Sequence, residues 1–245
     1  MANVQPFRAL HYDRDRVGGL QPVVAPPYDV IDAEQRAELL ARSPYNVVEI
    51  DLPQGDDPYA HAAEVFERWQ RDGVLVRDDA PALWALEQDY TGPDGRRRTR
   101  HGFFARVAVE DYGPGRIRPH ERTHPGPKED RLRLTRATHA NLSPLLSLYD
   151  DPAGAAWGAL APHLVTEPWA EVTDEDGTIH RLWRVEDPRA IEAVRAALAG
   201  AELLIADGHH RYETARVHHE EGGAGHVLMC QVALQDPGLT VFPTH

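Results

Sequence analysis

One segment, residues 203–215, constrains the fold of this chain more than any other. Its sequence is LLIADGHHRYETA, in which an apolar run suited to a buried strand ends at an aspartate and a glycine and is followed by a helix-forming stretch. In a strand–turn–helix of this kind the first N–H groups of the helix face open space, and the helix dipole favours negative charge there. Imidazoles and a fork-shaped guanidinium stand at the same end. The segment therefore predicts a phosphate cradle formed by Gly208, His209, His210 and Arg211.

A simpler interpretation is that Asp207 caps the helix and that the two histidines are surface residues. Aspartate is a common N-cap, so this residue alone decides nothing. His-His-Arg directly after Asp-Gly is much less common, which favours a site.

Composition excludes several classes of protein. The net charge of −13 argues against broad binding to nucleic acid or to anionic membranes, although it leaves room for a local anion site. No apolar run approaches the ~20 residues of a membrane span, and the N-terminus does not resemble a secretion signal, so we expect a cytoplasmic protein. Cys230 is the single cysteine, which excludes an intrachain disulfide and a cysteine-rich zinc site.

Hydrophobic periodicity predicts an α+β fold, with a mixed sheet flanked by helices and hairpins. Helices are predicted at residues 33–41, 59–71, 128–141, 154–164 and 188–198 and after residue 208. Strands are predicted at 6–12, 46–52, 145–150, 203–206, 227–234 and 239–245. Two hairpins pair 83–90 with 101–109 and 169–172 with 178–185. The 245 residues form a single domain or a partial chain of a longer protein, with a possible division into 1–115 and 116–245, the second part carrying the site motifs.

A second polar cluster covers residues 117–131, with the sequence IRPHERTHPGPKEDR. It contains almost no apolar residue and so is not core, and long polar loops in compact domains are usually functional or disordered. Its side chains suit acid–base and phosphate-binding chemistry, which disordered linkers usually lack. If this loop folds over the 207–211 turn, it supplies a catalytic carboxylate, phosphate clamps and substrate contacts, namely Glu121, Arg122, Lys128, His120 and Thr123.

A third motif, APPYDV at residues 25–30, is a rigid extended loop, because its two prolines remove backbone donors. It carries Tyr28 and Asp29, which we expect to contact the substrate. The alternative is a purely structural corner in which Asp29 bonds backbone N–H groups.

These three motifs, ADGHHRYETA, APPYDV and RPHERT, together resemble the bacterial and archaeal domain-of-unknown-function family 1015, and the resemblance runs from Pro6 to the last residue. Members of that family normally continue past the equivalent of residues 239–245, which implies a partial chain.

More distantly, the Asp-Gly-x-His-Arg pattern is similar to the signature of the ParB/sulfiredoxin-like fold, which includes free-serine kinases and nucleotide-hydrolysing proteins. That resemblance implies a strand–turn–helix nucleotide site. Its implied roles are phosphate binding for His210 and Arg211, and a metal or substrate-hydroxyl contact for Asp207.

The leading hypothesis is a nucleotide-dependent phosphotransferase acting on a small hydroxylated metabolite, with free L-serine as the specific candidate. Its cofactors would be ATP or ADP with Mg²⁺, and Glu121 or Asp207 would be the catalytic carboxylate. No metal site is assigned beyond a possible Mg²⁺ contact at Asp207.

Two alternatives stay open. One is a nucleotide-binding regulatory module without turnover. The other is a metal-dependent hydrolase, which the histidine spacing of the 209–219 segment does not favour.

Overall fold

The structure, a computed structural model, describes residues 3–114, 116–121 and 125–241, without the side chains of residues 125–127. The helices are α1 (Arg14–Val17), α2 (Ala33–Arg42), α3 (Val48–Asp51), α4 (Pro58–Arg71), α5 (Pro125–Thr138), α6 (Ala155–Leu160), α7 (Pro188–Leu198) and α8 (His209–Glu220). The strands are β1 (Val4–Gln5), β2 (Leu10–Tyr12), β3 (Leu75–Arg77), β4 (Leu83–Thr91), β5 (Arg97–Ala108), β6 (Ile117–Arg118), β7 (Leu145–Tyr149), β8 (Ala170–Thr173), β9 (Ile179–Val185), β10 (Leu203–Asp207) and β11 (His226–Ala233).

A mixed sheet organises the fold, as the sequence predicts. Within the described ranges it has nine strands, in the order β6-β10-β7-β11-β5-β4-β9-β8, and β1 pairs with β5 off this path. The pairs β6–β10 and β7–β11 are parallel, whereas the others are antiparallel. Both predicted hairpins are present, as β4–β5 and β8–β9. The mixed α+β fold class is therefore confirmed.

The main core lies on one face of this sheet. Side chains that alternate along the strands, such as Phe103, Ile205 and Met229, are fully buried there against α6, α7 and α8. Tyr212 enters this core from α8 and is itself fully buried. Its hydroxyl donates to the carbonyl of Glu110 at 2.9 Å, so α8 is held firmly against the sheet.

A smaller N-terminal layer contains α1 to α4 and the β2–β3 pair. Its core includes Val65, Phe66 and Trp69, the apolar stripe that the helical spacing of α4 predicts. α5 packs against α4 on one side and against α8 on the other. It thereby connects this layer to the end of the sheet where β10 meets α8.

The predicted strand at residues 46–52 is wrong, because the segment forms α3. Asn46 is fully buried and donates through Nδ2 to the carbonyls of Pro22 at 3.0 Å and Val24 at 3.1 Å. Its Oδ1 accepts from the N–H of Val48 at 3.2 Å. The bond to the Val48 N–H starts the helical turn, and the bonds to the Pro22 and Val24 carbonyls anchor it to the rest of the protein. Together these hydrogen bonds override the β propensity of Val47 and Val48.

The predicted strand at residues 239–245 is not found in its described part. Residues 239–241 have no regular structure, and residues 242–245 lie outside the described ranges. In the part of the chain that the structure covers, every helix is too short or too polar to cross a membrane.

We predict that Asn46→Ala destabilises the protein by about 2–4 kcal/mol, because it leaves two half-buried carbonyls and the buried N–H of Val48 without their partner. Urea unfolding followed by circular dichroism measures this change. The matched control is Asn141→Ala at an exposed position, which should change stability by less than about 0.5 kcal/mol. Equal stabilities of the two variants would contradict the anchoring role of Asn46.

Candidate functional site

β10 ends at the predicted turn, and α8 follows it directly. Gly208 joins them in the left-handed region of backbone space, at φ 97°. A Cβ there would lie 3.0 Å from Cγ of Leu145 and 3.1 Å from Cζ of Arg211, so both the backbone angle and the crowding favour glycine. No described side chain caps the start of α8. The first N–H groups of α8 and the positive end of its dipole therefore suit an anion.

Arg211 folds back onto this turn. One of its terminal nitrogens donates to Oδ2 of Asp207, and the other donates to the carbonyl of Pro144. The side chain of Arg211 is 12% exposed, whereas that of Asp207 is 55% exposed. Asp207 does not cap the helix, and its carboxylate is neutralised by Arg211. A guanidinium has five N–H donors, so Arg211 keeps donors beyond these two bonds.

The loop that carries Tyr28 reaches the same place. The Tyr28 ring lies 4.2 Å from the guanidinium carbon of Arg131 and 5.9 Å from that of Arg211. Burial raises the pKa of the Tyr28 hydroxyl. Asp29, by contrast, is exposed and bonds no other side chain among the described residues. The structure thus brings Tyr28 of the APPYDV loop to Arg211 of the 207–211 turn and leaves Asp29 at the surface.

Arg131 and Asp51 also belong to this region, and the sequence analysis gave neither of them a role. Nη1 of Arg131 donates to Oδ1 of Asp51 at 3.0 Å and to the Asp51 carbonyl at 2.9 Å. Ser143 donates to the other carboxylate oxygen at 2.7 Å. The sequence signal for Arg131 was its place at the end of the 117–131 polar cluster. Asp51 lies in the segment 46–52, which was predicted as a strand, so no sequence signal marked it as a site residue.

His120, Glu121 and His209 form a second group, called here the histidine–carboxylate cluster. One possible ligand atom from each residue lies within 4.8 Å of the others. Nδ1 of His209 is 3.2 Å from Oε1 of Glu121, and the two imidazole rings are 4.4 Å apart at 89°. His209 is buried, whereas Glu121 and His120 are exposed. The structure therefore brings the 117–131 segment onto the 207–211 turn, as the catalytic hypothesis required.

Hydrogen bonds define where the protons of this cluster lie. Nδ1 of His120 donates to the carbonyl of Ile205 at 2.7 Å, which leaves Nε2 of His120 with a lone pair. The backbone N–H of His120 donates to Nε2 of His209 at 3.3 Å. In neutral His209 the proton is therefore on Nδ1, facing Glu121. Burial lowers the pKa of His209, and the neighbouring His120 lowers it further, which favours the neutral ring.

Lys128 faces a carboxylate on α8. Its Nζ lies 3.5 Å from Oε2 of Glu213, and its carbonyl accepts from Oγ1 of Thr214 at 3.4 Å. Burial alone would raise the pKa of Glu213, but the Tyr112 hydroxyl, Arg216 and Lys128 together lower it. The charge of Lys128 is thus already matched. Two further predicted site residues, Arg122 and Thr123, lie outside the described ranges.

His210 occupies the first turn of α8 and is partly exposed. It directly follows His209, the α8 member of the cluster. Its predicted position at the start of the helix is confirmed, and its role in binding phosphate stays a prediction.

Two hollows lie on either side of the Tyr28 loop. A cavity of about 50 Å³ lies behind Arg131 and Arg211, which is room for water but not for a nucleotide. A groove of about 760 Å³ opens beside the loop, with a mostly apolar wall that includes Pro27, Val30 and Phe104. A groove of this size suits a small organic ligand.

Comparison with known proteins identifies the family of this chain but assigns it no function. A family model described as "Protein of unknown function (DUF1015)" matches residues 4–245, and the chain therefore belongs to this family. Neither the curated proteins nor the solved structures contain a significant match. The comparisons give no link to the ParB/sulfiredoxin-like superfamily.

We predict that Gly208→Ala destabilises the protein by about 1–3 kcal/mol more than Gly222→Ala. Both glycines have positive φ, 97° and 89°, so both variants carry the left-handed strain, but only the Cβ at residue 208 meets neighbours within 4 Å. Thermal and urea unfolding of the two variants measure the difference. Equal losses would show that the turn is not crowded in the way described.

Proposed function

We propose that this protein is a nucleotide-dependent phosphotransferase acting on a small hydroxylated metabolite, with free L-serine as the specific candidate acceptor. One observation carries the proposal: the uncapped start of α8 lies directly against the histidine–carboxylate cluster. A phosphate-binding element and a group able to accept a proton therefore lie side by side. Phosphoryl transfer consists mostly of positioning and charge stabilisation, and these two parts are what it requires of a protein.

The phosphates would bind at the 208–211 turn. The close approach of backbone at Gly208 and the N–H groups of the first turn suit phosphate oxygens. His210 and the remaining donors of Arg211 add side-chain contacts, as in the sequence hypothesis. An incoming phosphate would compete with Asp207 for Arg211. Because Asp207 is 55% exposed, releasing it costs little.

The rest of the ligand would lie on the Tyr28 side of the turn. Tyr28 presents a neutral ring that two guanidinium groups hold in place. The groove beside its loop has an apolar wall and room for a metabolite-sized ligand or a nucleoside. ATP and ADP are both candidate phosphoryl donors.

The hydroxyl proton would be taken up at the histidine–carboxylate cluster. Asp207 is ion-paired with Arg211, whereas no described arginine or lysine pairs with Glu121. Glu121 is therefore the better of the two predicted carboxylates. Nδ1 of His209 lies 3.2 Å from its Oε1, which places the carboxylate next to the start of α8.

Mg²⁺ is expected to come with the nucleotide. It prefers oxygen ligands and usually binds through one or two carboxylates together with substrate phosphates. The described carboxylates at the turn, Asp207 and Glu121, each have another partner. They fit one contact to a nucleotide-bound ion rather than a dedicated protein site. When bound, Mg²⁺ would neutralise charge on the phosphates.

The direct test is formation of phosphoserine from L-serine by the purified chain with Mg²⁺ and either ATP or ADP, followed by mass spectrometry. Product with one of the nucleotides supports the proposal. Tight nucleotide binding without product from either one would reject the phosphotransferase and favour a regulatory module. Absence of any nucleotide binding would reject both.

We predict that Glu121→Gln lowers kcat by about 10²- to 10⁴-fold, the usual contribution of a proton acceptor, while the Kd for nucleotide changes little. The matched control is Glu129→Gln on the exposed side of α5, where the carboxylate pairs only with Arg133 among the described residues. Isothermal titration calorimetry and initial rates separate the two quantities. A Glu121→Gln variant as active as the control would remove Glu121 from the reaction.

A further inference from the structure

The histidine–carboxylate cluster combines two imidazoles and one carboxylate from separate parts of the chain. His120 and Glu121 follow β6, and His209 is the first residue of α8. The histidines within residues 209–219 do not have the helical spacing of a metal-ligand set. The set formed in space instead uses one helical histidine and two residues of the preceding polar loop.

We propose that His120, Glu121 and His209 bind a divalent first-row transition-metal ion, of which Zn²⁺ is the representative case. Its binding goes beyond the proposed function and does not depend on it. Only the role of the ion in activating a substrate hydroxyl rests on that function.

The distances between the donor atoms of the cluster suit the binding of one shared ion. Metal–nitrogen and metal–oxygen bonds of about 2.0–2.2 Å place two donors on one tetrahedral ion about 3.3 Å apart. Nδ1 of His209 and Oε1 of Glu121 are 3.2 Å apart, so they already have this spacing. One ring nitrogen of His120 lies within 4.8 Å of a possible ligand atom of each of the other two residues, so closing the set around one ion requires a rearrangement of these side chains. His120 and Glu121 are exposed and are able to make such a rearrangement.

His120 has the orientation of a metal ligand. Its Nδ1–H is bound to the Ile205 carbonyl at 2.7 Å, and this bond leaves Nε2 as the lone-pair nitrogen. Metal-binding histidines almost always donate their second ring N–H to a carbonyl, a carboxylate or water in this way. The His120 and His209 rings meet edge to face with centroids 4.4 Å apart, so the two imidazoles are already direct neighbours.

Metal binding through Nδ1 requires the ring proton of His209 to move from Nδ1 to Nε2. In the arrangement described, its Nδ1–H faces Glu121 while its Nε2 accepts from the N–H of His120. An ion between His209 and Glu121 takes the place of that proton, which moves to Nε2. The bond given up is the 3.3 Å contact to His120, the longest in the cluster.

The donor set selects the kind of ion. Two neutral imidazoles with one carboxylate suit Zn²⁺, Co²⁺, Ni²⁺ or Fe²⁺, whereas Mg²⁺ prefers oxygen ligands alone. Three protein ligands leave a fourth position for water or a substrate hydroxyl, as in catalytic rather than structural zinc sites. An ion there would lower the pKa of that hydroxyl, and the carboxylate oxygen of Glu121 that does not bind the ion would accept its proton.

The test is titration of the chelator-treated full chain with Zn²⁺ and with Co²⁺, whose visible absorption reports its coordination. We expect one ion per chain, and Mg²⁺ at equal concentration should not displace Co²⁺. His120→Gln and Glu121→Gln should each weaken Co²⁺ binding at least about tenfold. His219→Gln, an exposed position near the other end of α8, is the matched control and should bind as the unchanged protein does.

Failure to bind Co²⁺ stoichiometrically would overturn the metal site, and so would equal affinities in His120→Gln and the control. Because His209 is buried, His209→Gln is informative only if its unfolding curve matches the unchanged protein, whereas His120 is exposed and tests the site without that condition. The titration contains no nucleotide. Metal binding without phosphoserine formation would therefore reject the phosphotransferase alone, and phosphoserine formation without Co²⁺ binding would reject the metal site alone.

Discussion

The buried ion pair between Arg131 and Asp51 joins the two halves of the candidate site. Taking such charges out of water costs several kcal/mol, and this cost is offset here by two bonds within the pair, by Asp130 at 2.6 Å and by the Ser143 hydroxyl. One partner belongs to α3 in the N-terminal layer and the other to α5, which packs on α8. The pair thereby holds the N-terminal layer against the end of the sheet. It also provides the cationic surface on which Tyr28 lies.

A second constraint, parallel pairing, brings the other half of the site together. β6 pairs in parallel with β10, with Ile117 opposite Leu203 and Arg118 opposite Leu204. The carboxyl ends of the two strands therefore leave the sheet at the same edge. The residues that follow each strand, His120 and Glu121 after β6 and the 207–211 turn after β10, are adjacent for this reason. Open sheets commonly place ligands outside the carboxyl ends of parallel strands.

The sequence predicted local structure well and long-range contacts poorly. The run from Leu203 to the end of α8 was predicted correctly because apolar periodicity, a glycine and a helix-forming stretch all agree locally. The segment around Asn46 was mispredicted because its conformation depends on bonds to carbonyls more than twenty residues earlier. β6 is two residues long and carries no periodic signal, so its pairing with β10 was not predictable. The polar cluster at 117–131 was predicted to lie outside the core, but Ile117 belongs to the core and Arg131 is buried, whereas His120 and Glu121 are exposed. The partner of His120 depends on the pairing of β6 with β10.

Under the proposed function, the local charge balance explains why a cation would be needed at this turn. Arg211 faces Asp207 and Lys128 faces Glu213, so these two cations are already matched by carboxylates. An anion at the turn is then attracted chiefly by the start of α8, whose dipole amounts to roughly half a positive charge. The phosphates of a nucleotide carry several negative charges, and the chain as a whole has a net charge of −13. Under the proposed function, most of the neutralisation would therefore have to come from an ion, either one that arrives with the nucleotide or one held by the histidine–carboxylate cluster. A turn built from unpaired arginines would bind phosphate without such help, whereas this one would couple anion binding to cation binding.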